Sequence, residues 1–220
     1  MRKHILALLF LLLPLVSVAQ RRFERGDFFS DVYLHFASHS TAGNTALSFD
    51  GGLGFGVGYD LGYKRFSFIN TFYVNDSKTQ NYLSGITSDG KLFVVGPGQS
   101  ASFVCCELAL GYMALDQGRH SLTPQLGLAV GSTSFKYDEM PIEGEYRGVA
   151  FGVNYRYHFV ERFRSGSDGF FFSNSAEVMT WSIDFSFLMH YNRFKDTDGS
   201  LDGWSALLSA GIAFGGYTVR

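Results

Sequence analysis

The stretch DGGLGFGVGYDLGY, Asp50 to Tyr63, places a glycine after almost every apolar residue. Gly52, Gly54, Gly56 and Gly58 alternate with Leu53, Phe55, Val57 and Tyr59, and Leu61 continues the series. Alternation with a period of two is the signature of a strand. Glycine packs nothing and loses the most backbone freedom on ordering, so it weakens any strand that carries it. One face of this strand is bulky and apolar, and the other is nearly bare. A strand of a soluble domain would fill its second face with polar side chains. A bare face is useful where space is scarce, because it lets bulky groups from elsewhere enter a narrow interior.

The same period recurs along the chain at even spacing, in eight segments. They are Asp27–Ala37, Leu47–Tyr63, Phe66–Asn75, Ala101–Met113, Ser121–Phe135, Arg147–Phe159, Glu177–Tyr191 and Gly203–Val219. In the sixth, Val149, Phe151, Val153, Tyr155 and Tyr157 oppose Gly148, Gly152, Asn154, Arg156 and His158. In the seventh, Met179, Trp181, Ile183 and Phe185 oppose Thr180, Ser182, Asp184 and Ser186. Connections at one end are short, as in GYKR and ALDQGRH. At the other end they are longer and polar: SHSTAGN, the run from Ser77 to Ser100, KYDEMPIEGE and RFKDTDGS. The connection from Val160 to Ser175 is long for the short-turn end. Pro124 cannot donate to a ladder and so belongs near a strand start.

Eight such strands close into a barrel whose bore holds only its own side chains. Rows of Phe, Leu, Tyr and Trp from every strand would overfill that bore, whereas Gly, Ala, Ser and Thr fit it. The bulky face therefore points out, toward lipid, and the expected fold is all-β: a transmembrane, antiparallel, up-and-down β-barrel of eight strands. Outward aromatics fall in two groups. Phe28, Tyr63, Phe66, Tyr157 and Trp181 lie toward the short-turn end, and Phe36, Phe49, Phe72, Tyr191 and Trp204 toward the loop end. Aliphatics such as Leu34, Leu128 and Ile183 lie between them, as expected of aromatic belts at two bilayer interfaces.

The N-terminus fits export. A basic MRKH precedes the apolar ILALLFLLLPLV and the small residues SVA, so residues 1–19 read as a signal peptide cut before Gln20, and 20–220 as the barrel domain. Removing 1–19 takes the charge from −2 to 16 − 20 = −4, with no basic block to suggest nucleic acid. Cys105 and Cys106 are adjacent and point to opposite faces of a strand, so they read as two reduced fillers. The SVAQ cut, the GGLGFGVGYDLGY arm and the terminal LLSAGIAFGGYTVR resemble the small eight-stranded OmpA/OmpX-like outer-membrane β-barrel proteins of Gram-negative bacteria. That resemblance implies an outer-membrane location, outer-membrane lipid around the wall, and help from the barrel assembly machinery during insertion. The chain departs from many such barrels in not ending on an aromatic residue; Tyr217 and Val219 stand in that region.

The inward face carries a polar cluster: Asp31, Asp60, Glu107, Asn154, Arg156, Asp184 and His190, with Tyr33, His35 and His158. Buried charges must be paired. Arg156 is the only strong base that falls inward, so it is expected to meet Glu107 or Asp184, with acids left in surplus. No catalytic residue, metal site or cofactor is expected: G-x-S-x-G, HExxH and paired metal-spaced histidines are all missing. FFSNSAE, Phe171–Glu177, is similar to a segment of lipid A deacylases but has Phe172 where their histidine stands. DTDGSLD, Asp196–Asp202, is a calcium loop without its final glutamate. The leading expectation is a monomeric barrel with a packed polar lumen and a structural or adhesive role, meeting an extracellular ligand through the loop from Ser77 to Ser100. The alternatives are a narrow channel or carrier for small hydrophobic molecules, and a lipid A-modifying enzyme.

Overall fold

The computed structural model describes residues 25–45, 49–86, 92–137, 140–164, 177–195 and 201–219. The signal-peptide segment, most of the Val160–Ser175 connection, nearly all of Phe171–Glu177 and most of Asp196–Asp202 lie outside them. The strands are β1 Arg25–Gly43, β2 Gly52–Tyr63, β3 Phe66–Lys78, β4 Leu83–Ile86, β5 Leu92–Val95, β6 Ser100–Tyr112, β7 Leu115–Gln117, β8 His120–Tyr137, β9 Met140–Arg164, β10 Glu177–Phe194 and β11 Gly203–Val219.

Eight long strands form one ring. β1, β2, β3, β6, β8, β9, β10 and β11 each pair antiparallel with the next, and β11 returns to β1. The closing ladder runs from Phe29↔Tyr217 to Gly43↔Gly203, so the first and last strands are zipped along their length. Closure removes the sheet edge and satisfies the backbone within the wall. β2 and β3 are joined by Lys64 and Arg65, with Tyr63 paired to Phe66; Lys64 takes the left-handed φ of 57° that a two-residue hairpin demands. Pro124 pairs with Val153 of β9, one residue past the end of the β6–β8 ladder at Gly111↔Gln125, so its missing N–H costs no bond to β6.

The alternation holds around the ring. Every second residue of β2 from Leu53 to Leu61 is exposed, while Gly56, Gly58 and Asp60 are buried. All nine belt residues other than Phe49 point outward; Phe36 is 78% and Phe66 66% exposed, and Tyr157 and Trp204 are half-buried between neighbours. Trp204 meets Tyr191 and Phe151 edge-on at 5.1 and 5.8 Å. With a closed ring, an apolar exterior and a polar bore, the chain is a membrane-spanning barrel of the outer-membrane type.

Five readings of the sequence need correction. β1 does not stop at Ala37 but runs through most of SHSTAGN to Gly43, because its inward parity continues to His39, whose ring meets that of Phe103 at 4.8 Å with the planes tilted by 51°. β2 begins at Gly52 rather than Leu47. Phe49, placed in the outward belt from its parity, is instead fully buried inside the loop end, at 5.1 Å and right angles to Phe103. The chain there is no longer a wall strand, so strand parity does not apply. KYDEMPIEGE is not an open loop: the β8–β9 ladder continues through it in register up to Tyr137↔Met140. ALDQGRH holds a further short strand, β7, folded on His120–Leu122. Within the run from Ser77 to Ser100, β4 and β5 pair as a separate hairpin, from Leu83↔Val95 to Ile86↔Leu92.

Candidate functional site

The bore is filled in layers, and its centre is organised by one side chain. Arg156 of β9 is 4% exposed and reaches three carboxylates on three other strands. Its Nε donates to Asp184 Oδ2 of β10 at 2.7 Å, Nη1 to Asp31 Oδ2 of β1 at 2.6 Å, and Nη2 to Asp60 Oδ2 of β2 at 3.0 Å. The guanidinium lies 5.7 Å from the centre of the Tyr33 ring. The planar fork suits this task because its N–H groups diverge in fixed directions toward separate acceptors. Asp184 is satisfied further: Asn154 Nδ2 donates to its Oδ1 at 2.7 Å, and His35 Nε2 lies 2.7 Å from the same oxygen.

Arg156 therefore meets Asp184, one of its two expected partners, and not Glu107. Glu107 is held elsewhere, accepting from Gln125 Nε2 at 3.0 Å and lying 3.4 Å from His190 Nε2. The other ring nitrogen of His190 faces Cys105 Sγ at 3.8 Å, so Cys105 and Glu107, two apart on the same face of β6, both reach one imidazole on β10. Cys106 points the other way, with Asn70 Nδ2 at 3.8 Å from its sulfur. All seven predicted lumen residues thus face inward, in two linked groups. Nearby, Ser209 joins His35 Nδ1 at 3.3 Å and Ser186 Oγ at 2.6 Å.

Both ends of the bore are closed by apolar side chains. Phe49, Tyr73, Phe103, Tyr146, Leu188, Phe194 and Leu207 belong to a buried cluster toward the loop end. Phe29, Met113, Val178 and Tyr217 form another toward the short turns. Of these, Tyr73, Phe103, Leu188 and Leu207 sit at inward parity, a signal in the sequence that the polar lumen list does not use. Small residues opposite make room for them. A side chain at Gly56 would meet the Tyr73 ring, at Gly58 the Tyr33 ring, at Gly62 the Phe29 ring, at Gly131 the Tyr146 ring and at Gly152 Leu188. On β11, which lies between β1 and β10, a side chain at Gly211 would strike His35 and one at Gly215 would strike Asp31. These glycines let residues of β1 lie across the bore toward β9 and β10.

Among the described residues, a small void interrupts the packing between the Arg156 group and the Glu107 group. Tyr33, Asp60, Thr71, Gln125, Asn154 and Ser186 contribute to its lining.

No protein-family model and no curated protein matches the chain. Solved structures are similar in fold. Ail, the attachment invasion locus protein of Yersinia pestis, solved with the heparin analogue sucrose octasulfate, aligns at a TM-score of 0.49 and 12% identity, over 86% of this chain and 99% of that one. Neisserial surface protein A aligns at 0.45 and 14%, over 86% and 97%. The outer membrane protein OprG from Pseudomonas aeruginosa aligns at 0.45 and 8%, over 91% and 100%.

Proposed function

We propose that this protein is a plugged outer-membrane barrel, monomeric and non-enzymatic, that acts through its loop-end surface rather than through its bore. The observation that carries this reading is the clasp of Arg156 on Asp31, Asp60 and Asp184 across the lumen, with apolar side chains packed at both ends of it. A conducting path needs continuous room for a hydrated ion, and here the bore is occupied by paired charges and rings. The pairing of Ser182 Oγ with His158 Nδ1 at 2.6 Å lies in the same filled interior, which gives a substrate no approach. Outward Trp181, Tyr191, Trp204 and their neighbours would anchor the wall at the two interfaces, and the β4–β5 hairpin with exposed Tyr82 would present the binding surface.

The test is conductance. Purified, refolded protein in planar bilayers is expected to give no steady single-channel steps. Regular steps that disappear in a Glu107→Gln or Arg156→Met variant would replace this reading with the channel. A role in export has its own check: the mature protein isolated from the outer-membrane fraction is expected to begin at Gln20 on N-terminal sequencing, with Arg2 and Lys3 gone. Recovery of intact Met1 from that fraction would show that residues 1–19 are not a cleaved leader.

A further inference from the structure

We propose that Arg147 and Arg193, on the outside of the barrel at its loop end, form a clamp for the phosphate of an outer-leaflet lipid headgroup. The two residues are direct cross-strand partners in the β9–β10 ladder, and both are exposed on the outward face. Directly opposed residues of an antiparallel pair hold their Cβ atoms about 5 Å apart, and like charges in that position repel. A neutral or acidic residue at either position would avoid the repulsion. The arrangement becomes favourable when an anion lies between the two guanidiniums.

Among the described residues, no acid of the chain plays that part. Glu145, the next outward residue of β9 away from the membrane, meets Lys195 at 3.9 Å instead. Asp202, just before β11, accepts from the Phe194 backbone N–H at 2.8 Å and makes no ion pair with either arginine. The Glu145–Lys195 pair is neutral as a unit, so the two arginine charges stand without a counter-ion in contact.

Position selects the anion. The pair lies one outward row beyond Val149, Tyr191 and Trp204, which are joined across β9, β10 and β11. Tyr191 and Trp204 belong to the loop-end belt that marks the bilayer interface, so the guanidiniums are at headgroup depth. Toward the membrane, Leu128 with Val149 and Leu126 with Phe151 form an exposed apolar stripe on which an acyl chain can lie. A carboxylate offers one charge and two oxygens. A phosphate monoester offers about −1.5 to −2 at neutral pH and three oxygens, enough for each guanidinium fork to take its own. A phosphorylated lipid therefore fits the charge, the depth and the stripe together.

The refolded barrel can be reconstituted in phosphatidylcholine bilayer discs doped with bisphosphorylated lipid A, or with the same glycolipid stripped of its phosphates, and the retained lipid counted by native mass spectrometry. The wild type is expected to retain the phosphorylated form about tenfold better, the scale of one charge-assisted hydrogen bond. Arg147→Gln with Arg193→Gln should lose that preference. Arg65→Gln with Arg162→Gln, which removes the same charge from exposed positions at the short-turn end, should keep it. Excess inorganic phosphate should not displace the lipid, since it has no chain to seat on the stripe. Stability gives an independent sign. In detergent free of phosphate groups, Arg193→Gln should unfold at a urea concentration equal to or above that of the wild type, because it relieves the repulsion; in phosphorylated lipid it should unfold at a lower one. Retention unchanged in the Arg147 and Arg193 double variant, equal loss in both double variants, or displacement by inorganic phosphate would overturn the clamp. The clamp lies outside the wall, so its failure leaves the plugged bore untouched, and a steady conductance would strike the plug and not the clamp.

Discussion

Replacing Arg156 by methionine is expected to cost about 3–5 kcal/mol of stability, the usual penalty for stripping the partner from buried charge. The reason lies in what would remain. Asp31, Asp60 and Asp184 would still converge from β1, β2 and β10 on one spot, each within 3.0 Å of where a guanidinium nitrogen had been, with His35 the only base in contact among the described residues. Methionine fills the space but donates nothing. The loss should be read as a drop in the urea midpoint of the folded band on unboiled SDS gels. The companion triple variant, Arg156→Met with Asp31→Asn and Asp60→Asn, should recover much of that loss, because it removes the stranded charges together with their partner. Arg156→Lys should fall between, since one ammonium has the charge but not the fork that meets three acceptors at once. A single Arg156→Met variant as stable as the wild type would mean that these carboxylates are not buried around it.

The parity of the strands makes most of this architecture legible in the sequence. Once β2 was read with Leu53, Phe55, Val57, Tyr59 and Leu61 outward, Gly56, Gly58 and Asp60 had to be inward, and the same logic turned Asp31, Glu107, Arg156 and Asp184 into the bore. Parity could not say which inward residues share a height. That depends on how far each strand is staggered against the next around the ring, a quantity no single strand carries. Glu107 and Asp184 were therefore equivalent candidates for Arg156 in the sequence, and only the register separates them: Asp184 is opposite Arg156 on the adjacent strand, while Glu107 is opposite Thr71 and Ala129. The same gap hid the contact of Cys105 with His190, which spans the lumen. Parity also fails where the wall ends. Phe49 was assigned to the lipid face by extending β2 backwards, but there the chain leaves the ladder and folds over the bore, and Thr41 Oγ1 donates to its carbonyl at 2.7 Å. The resemblance to small outer-membrane barrels points to the fold and is silent on the lumen.

The glycines of the second strand should divide into two kinds when tested, and that division is the sharpest check on why they are there. At Gly58 a side chain is half of the obstacle: a Cβ would meet the Tyr33 ring and, equally close at 2.5 Å, the Asn70 carbonyl. At Gly54 the obstacle is mainly backbone, the Val74 carbonyl and Cα of Asn75 across the β2–β3 ladder. Gly58→Val is expected to destabilise the barrel by about 1–3 kcal/mol through overpacking. Combining it with Tyr33→Ala should restore part of the loss, since removing the ring vacates the space the new side chain needs. Gly54→Val should cost at least as much and should not respond to Tyr33→Ala, because a backbone carbonyl cannot be cut away. Urea midpoints for the wild type, the three single variants Gly58→Val, Gly54→Val and Tyr33→Ala, and the two double variants give both interaction energies. A positive interaction at Gly58 with none at Gly54 would show that Gly58 is bare so that Tyr33 can lie against Arg156, and Gly54 so that β3 can come close. Equal and additive losses at both sites would mean that glycine serves the strand's own twist and not the filling of the bore.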